Sequence, residues 1–182
     1  MKLSRALVIT LALGVLTPNS FAKGPPHIKS MMGQVQLQGF GRLNFWGFHV
    51  YDANLYRGTA KDSQEFALEL RYQRSFTGEA IASRTAEEMK NLGVSDTQAT
   101  AWSKELASIL PNVEPGQTIA AVYIPKQGTS FFYEGKKIFQ IQGADFAKAF
   151  FGIWLDSKTS VPKLRAELLG QGCPPPLISG AC

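Results

Sequence analysis

From Gln34 onward the chain alternates apolar with polar or small side chains at a period close to two. Val35, Leu37 and Phe40 stand among Gln and Gly, followed by Leu43, Phe45, Phe48, Val50, Tyr51, Leu55 and Tyr56. Aromatic and β-branched residues in this pattern predict strands, and Gly39, Gly41 and Gly47 mark bends or bulges. Glu65 to Phe76 continues in the same style. The period then lengthens: Ile81, Thr85, Met89 and Leu92 are spaced as one face of a helix that Gly93 ends. Ser95 with Gln98 three residues later is a capping box. The helix it opens carries Ala99, Trp102, Leu106, Ile109 and Leu110 on one face, turns Lys104 and Ser108 to water, and stops at Pro111. Strand pattern returns after Pro115-Gly116, over 118–124, 130–133 and 136–141, with Glu134-Gly135 as a hairpin turn. Asp145 is placed to cap a helix over 146–155 so apolar that it must be buried on most faces. After Thr159-Ser160-Val161-Pro162 a short helix runs to Leu169 and stops at Gly170. Strands, two helices, strands, two helices: this order predicts an α+β domain, an antiparallel sheet covered by helices on one face.

The two ends differ from this middle. Lys2 and Arg5 precede an apolar run of 11 residues, Ala6 to Leu16, and a small-x-small site, Ser20-Phe21-Ala22. That order predicts a secretory signal peptide over 1–22, cleaved after Ala22, and a periplasmic or secreted product. Eleven residues at a rise of about 1.5 Å are too short for a hydrocarbon core of about 30 Å, so no membrane span is expected in the mature chain. Residues 23–33 show no periodic pattern and are expected to be a flexible lead-in. The domain is expected over 34–170, followed by a tail, 171–182, that holds both cysteines of the chain, Cys173 and Cys182. An oxidising compartment would let these two pair and tie down the tail.

Charge and motifs narrow the chemistry. Without Lys2 and Arg5, 17 basic residues face 14 acidic ones. No run of Lys or Arg is dense enough for nucleic acid. His27 and His49 are far apart and near no cysteine, so no metal site and no cofactor are expected. There is no G-x-S-x-G and no dinucleotide or P-loop glycine pattern. Glu87-Glu88 reads as a solvated helix face. The aromatics Phe45, Trp46, Phe150, Phe151 and Trp154 suit either a ligand wall or a packed core.

A resemblance adds to this reading. Gly39-Phe40-Gly41-Arg42 followed by Val50-Tyr51-Asp52-Ala53-Asn54-Leu55-Tyr56 resembles the G-x-G-R…VYDAxLY signature of bacterial chalcone isomerase-like proteins. Ala67-Leu68-Glu69-Leu70-Arg71-Tyr72 is similar to that family's ALxLxY strand. Phe150-Phe151-Gly152-Ile153-Trp154-Leu155-Asp156 is similar to its FFxIWLD helix, and Leu164-Arg165 with Leu168-Leu169-Gly170 to its closing LR…LLG. The resemblance implies an open-faced sandwich, a large antiparallel sheet under a layer of helices. In the family's plant enzymes and fatty-acid-binding relatives a small lipophilic ligand sits between those layers, and an arginine meets its anionic oxygen.

The positions implied as ligand-contacting are Arg42, Asp52, Tyr72 and Ile81. Arg42 falls near the family arginine, and Asp52 where the family has a threonine. Ile81 replaces a tyrosine, Glu88 an asparagine, and Gly152 a further polar residue. Loss of those donors points away from ring closure, which needs a preorganised polar network. Three readings stay open: a non-catalytic binder of a fatty acid or phenolic ligand, an isomerase acting on a chalcone-like substrate, and an envelope interaction protein whose cleft is filled. The resemblance implies that Arg42 points towards the cleft; with apolar Leu43 and Phe45 beside it, a buried guanidinium there would need an anionic partner, either Asp52 or a ligand.

Overall fold

The computed structural model describes residues 24–178. The expected signal peptide, 1–22, and Cys182 lie outside the described residues. Six strands form one antiparallel sheet in sequential order: β1 (Val35–Phe45), β2 (Phe48–Gly58), β3 (Phe66–Tyr72), β4 (Thr118–Ile124), β5 (Gly128–Tyr133) and β6 (Lys136–Ile141). Four helices cover one face: α2 (Gly78–Asn91), α3 (Asp96–Ile109), α4 (Ala144–Leu155) and α5 (Pro162–Leu169). The α+β open-faced architecture expected from the element order is the one found.

Alternation sorts the strand residues between two cores. Tyr51, Ala53, Leu55, Phe66, Leu68, Leu70, Tyr72, Ile119, Ala121, Tyr123 and Phe131 face the helix layer, where Phe146, Phe150, Phe151, Trp154 and Leu168 meet them. Burying one such side chain fully is worth about 1.5–3 kcal/mol. The intervening residues form a second, smaller core on the opposite face: Val35, Tyr56, Ala67, Ala120, Val122 and Phe132. The lid of this core is α1 (Pro26–Met32), a helix where a structureless lead-in was expected. Proline at its start fits a first helical turn, and Ile28 and Met32, four residues apart, insert side by side. Ile28, Met31 and Met32 are spaced i, i+3, i+4, but seven residues are too short a segment for that spacing to register as a period.

Two close approaches explain glycines of the signature. A Cβ on Gly39 would run into the backbone carbonyls of Glu167 and Leu168, and one on Gly41 into the side chains of Leu164 and Glu167. These glycines let α5 rest directly on β1. The register shift between Leu37 and Gly39 is a bulge beside that contact.

The caps follow the sequence in part. Ser95 Oγ accepts from Gln98 N at 3.3 Å, as expected for α3. α2 starts before Ile81 because Thr77 Oγ1 accepts from Ala80 N at 3.1 Å. Asp145 is not the cap of α4. It lies in the first turn, and the cap is Gly143, whose φ of 93° turns the chain into the helix without a side-chain bond. At the β1–β2 hairpin both central residues have positive φ, 52° for Trp46 and 81° for Gly47, the pattern of a type I′ turn. A non-glycine residue held there costs about 1–2 kcal/mol. Phe45 and Trp46 therefore belong neither to the core nor to a ligand wall: both are exposed.

Candidate functional site

The space between sheet and helices is an aromatic stack with a polar end. Phe66 contacts Phe151 at a centroid distance of 4.6 Å, and Phe150 touches Phe131, Phe146, Phe151 and Trp154 within 6 Å. At the end of this row Trp154 Nε1 donates to the Tyr51 hydroxyl at 2.8 Å, a fully buried bond between α4 and β2. Tyr72 is the register partner of Tyr51 on β3, and their rings meet edge to face at 5.8 Å. Burial pushes the Tyr51 phenol up to about 12, a rise that the Trp154 hydrogen bond partly offsets and nearby Glu88 adds to. Burial likewise raises Tyr72, and Tyr51 adds to the shift. Both phenols stay protonated at any physiological pH.

Beside them lies Glu88. Glu87 and Glu88 do not form one solvated face: Glu87 is exposed, whereas Glu88 is buried against the domain. Its carboxylate is held by Arg84 from the preceding turn, by Asn91 Nδ2 at 3.4 Å and by Ser160 Oγ at 2.7 Å. Ser160 belongs to the loop between α4 and α5, so Glu88 fastens α2 to that loop. A carboxylate taken out of water needs such partners.

The four positions implied by resemblance fall on both sides of the sheet. Tyr72 and Ile81 lie in the interlayer, Tyr72 buried and Ile81 packed against the same core from α2. Arg42 and Asp52 are on the opposite face. They are register partners, and Arg42 Nε donates to Asp52 Oδ1 at 3.2 Å. The expected partner is present, but the expected burial is not: the Arg42 side chain is 58% exposed. Neighbours in a strand point to opposite faces, so apolar Leu43 says nothing about where Arg42 points. Asp52 also accepts from Gln73 Nε2 at 2.9 Å and meets His49 Nε2 at 2.9 Å. Partial burial works to raise its carboxyl, but the bonds to Arg42 and His49 outweigh it and hold Asp52 below its ordinary value. Gly152 faces Leu92, whose Cδ1 stands 3.2 Å from where a Cβ would sit.

Tyr51 and Trp154 are the pair that sequence reasoning passed over as site residues. Both stood inside the quoted motifs, and an aromatic hydroxyl and an indole N–H within otherwise apolar runs were the available signal.

On the second face, His27 of α1 stands over Glu69 of β3, with Nε2 3.9 Å from Glu69 Oε2 and no hydrogen-bond partner for that nitrogen. Burial lowers His27 and raises Glu69, the latter moderated by Arg71. In the tail, Cys173 is disulfide-bonded; its expected partner, Cys182, lies outside the described residues. Two open hollows of about 500 and 540 Å³ lie away from the interlayer, one over Asp96, Thr100 and Lys104, the other between Arg57, Lys61 and Cys173. Among the described residues no cluster of His, Cys, Asp or Glu could hold a metal ion, and no helix is long and apolar enough to cross a membrane.

A sequential antiparallel sheet, a helix layer glued on by aromatics and a G-x-G contact under the last helix define an open-faced α+β sandwich of the chalcone isomerase type. The chain belongs to the chalcone isomerase-like family, whose model matches residues 22–170. An uncharacterized protein of Haemophilus influenzae is 28% identical over 131 residues, which cover 69% of this chain. The match spans 64% of that relative's length, under two thirds of it. Among solved structures, the crystal structure of a fatty-acid binding protein of Arabidopsis thaliana superposes with a TM-score of 0.56 at 13% identity. The match covers 74% of this chain and 86% of that one. At that identity the likeness is one of fold.

Proposed function

We propose that this protein is an exported, non-catalytic binding domain that takes a small lipophilic ligand with an anionic or phenolic head between its sheet and helix layer. The observation that carries the reading is the Tyr51–Trp154 pair at the end of the aromatic row. The Tyr51 oxygen accepts from the indole, and its own proton can be donated to a ligand oxygen. Apolar walls with a few placed polar groups are what such ligands require. The fatty-acid-binding activity named for the Arabidopsis protein of the same fold supports the ligand class. Export rests on the pattern of residues 1–22.

Catalysis is disfavoured by what stands at the positions matched by resemblance. Ile81 brings no donor, Gly152 brings no side chain, and the Arg42 guanidinium lies across the sheet from the aromatic row. Ring closure needs a donor network converging on one oxygen.

A second reading has its own observation. Phe66, Phe131, Phe146 and Phe151 are fully buried, so the interlayer also reads as a filled core, and binding requires α2 and α4 to part from the sheet. Native mass spectrometry of the chain purified without added lipid separates the two. A co-purifying fatty acid or phenolic compound at one per chain is expected. Bare protein that stays bare after incubation with oleate and with a chalcone supports the filled core instead.

A further inference from the structure

We infer that the tip of the β1–β2 hairpin is a membrane anchor that inserts into the interface of an anionic phospholipid bilayer. The last rung joining β2 to β3 is Tyr51 with Tyr72, followed by one further bond from Gln73 N to Val50 O at 2.9 Å. Beyond it the hairpin continues alone through Phe45 and Phe48, projecting about 10 Å at the usual rise per strand residue. Its tip carries three large aromatic side chains in four residues: Phe45 is 56%, Trp46 85% and Phe48 57% exposed. Folding does not account for them. Asn or Asp with Gly is the pairing a type I′ turn prefers, yet here the left-handed first position holds Trp46 at φ 52°. A turn that is both strained and exposed through its most apolar residue is selected for something outside the domain.

Charge and residue type choose the occupant. Arg74 lies over the Phe48 ring with its guanidinium 4.6 Å from the centroid, and Arg42 stands three residues from the tip on β1. Asp52, the acid on that stretch of β2, is already engaged by Arg42, His49 and Gln73. Trp and Phe flanked by Arg suit the headgroup level of a bilayer, where aromatic rings settle and cations meet lipid phosphates. A projection of about 10 Å matches the depth to which interfacial segments sink. Without Lys2 and Arg5 of the expected signal peptide, 17 basic residues against 14 acidic ones leave a formal charge of +3, which favours an anionic surface over a neutral one. This inference stands independently of whether the interlayer holds a ligand.

The test is co-sedimentation of the purified chain with vesicles of phosphatidylcholine alone and of phosphatidylcholine mixed with phosphatidylglycerol. Wild type is expected to bind the anionic vesicles, more weakly as salt rises. Trp46→Asn, which supplies the residue the turn prefers, is expected to keep or raise the melting temperature while binding falls about tenfold or more. Phe48→Ser is expected to weaken binding in the same direction. Two results overturn the inference: wild type that does not sediment with anionic vesicles, or Trp46→Asn that binds as well as wild type. Chain that ignores vesicles but runs as a dimer, and as a monomer once Trp46 is replaced, likewise overturns it and assigns the tip to a second copy.

Discussion

Trp154 on α4 and Tyr51 on β2 share the buried hydrogen bond, 2.8 Å long, that ties the helix layer to the sheet through polar atoms. Removing the hydroxyl leaves the indole N–H without its partner in an apolar surrounding. Tyr51→Phe is expected to cost about 1–3 kcal/mol in urea unfolding. Adding Trp154→Phe in the same background is expected to cost less than it does alone, because the bond is already gone. A double-mutant cycle with a coupling near zero contradicts the bond.

Gly39 is tested by a single methyl. Backbone carbonyls of Glu167 and Leu168 occupy the place of its Cβ, and a helix backbone yields less readily than a side-chain tip. Gly39→Ala is expected to destabilise by about 1–3 kcal/mol, the usual range for overpacking. An unchanged melting temperature shows that α5 does not rest on β1 as described.

Arg42 carries a smaller expectation than its place in the signature suggests. The Arg42 side chain is 58% exposed and that of its partner Asp52 36%, and such solvent-exposed pairs contribute about 0–1 kcal/mol. Arg42→Ala is expected to stay within that range in thermal melts, and a loss several times larger contradicts an exposed pair.

Burial of His27 and of Glu69 makes stability depend on pH in two opposing ways. His27 has its folded value below the ordinary 6.5. The stability it contributes is present above 6.5 and lost as pH falls through that value, where the unfolded chain takes up the proton first. Glu69 has its folded value raised above 4.5. Its contribution is present below 4.5 and lost as pH rises through the raised value. Glu69→Gln removes the second effect alone. The variant is expected to be more stable than wild type at neutral pH and to lose stability more steeply on acidification from about pH 6.5. Parallel pH profiles for the two proteins contradict this.

Much of the architecture could be read from residue patterns. The period of two from Val35 to Tyr56, the Ser95 cap and the Glu134-Gly135 turn each placed an element, since each depends on neighbours in sequence. What escaped depends on neighbours in space. α1 is held by a face of β3–β5 that small residues such as Ala67 and Ala120 leave open, and three apolar side chains in seven residues do not announce that. Glu88 is buried because Ser160 approaches from another helix connection. The resemblance implied an Arg42 aimed beneath the helices, but Arg42 is the register partner of Asp52 and shares its face, away from Tyr51 and Ala53. Sequence did name the strand and helix that carry Tyr51 and Trp154, but not that the two meet.

Whether a ligand sits between sheet and helices is read by calorimetric titration with a long-chain fatty acid, repeated with a phenolic chalcone. Saturable binding of one of the two at one per chain is expected. Tyr51→Phe is expected to weaken it about tenfold or more, as loss of a hydrogen bond to a charged group does. Trp46→Asn, distant from the aromatic row, is expected to leave it unchanged. Absence of saturable binding by both compounds, or binding indifferent to Tyr51→Phe and abolished by Trp46→Asn, rules out a ligand site beside Tyr51.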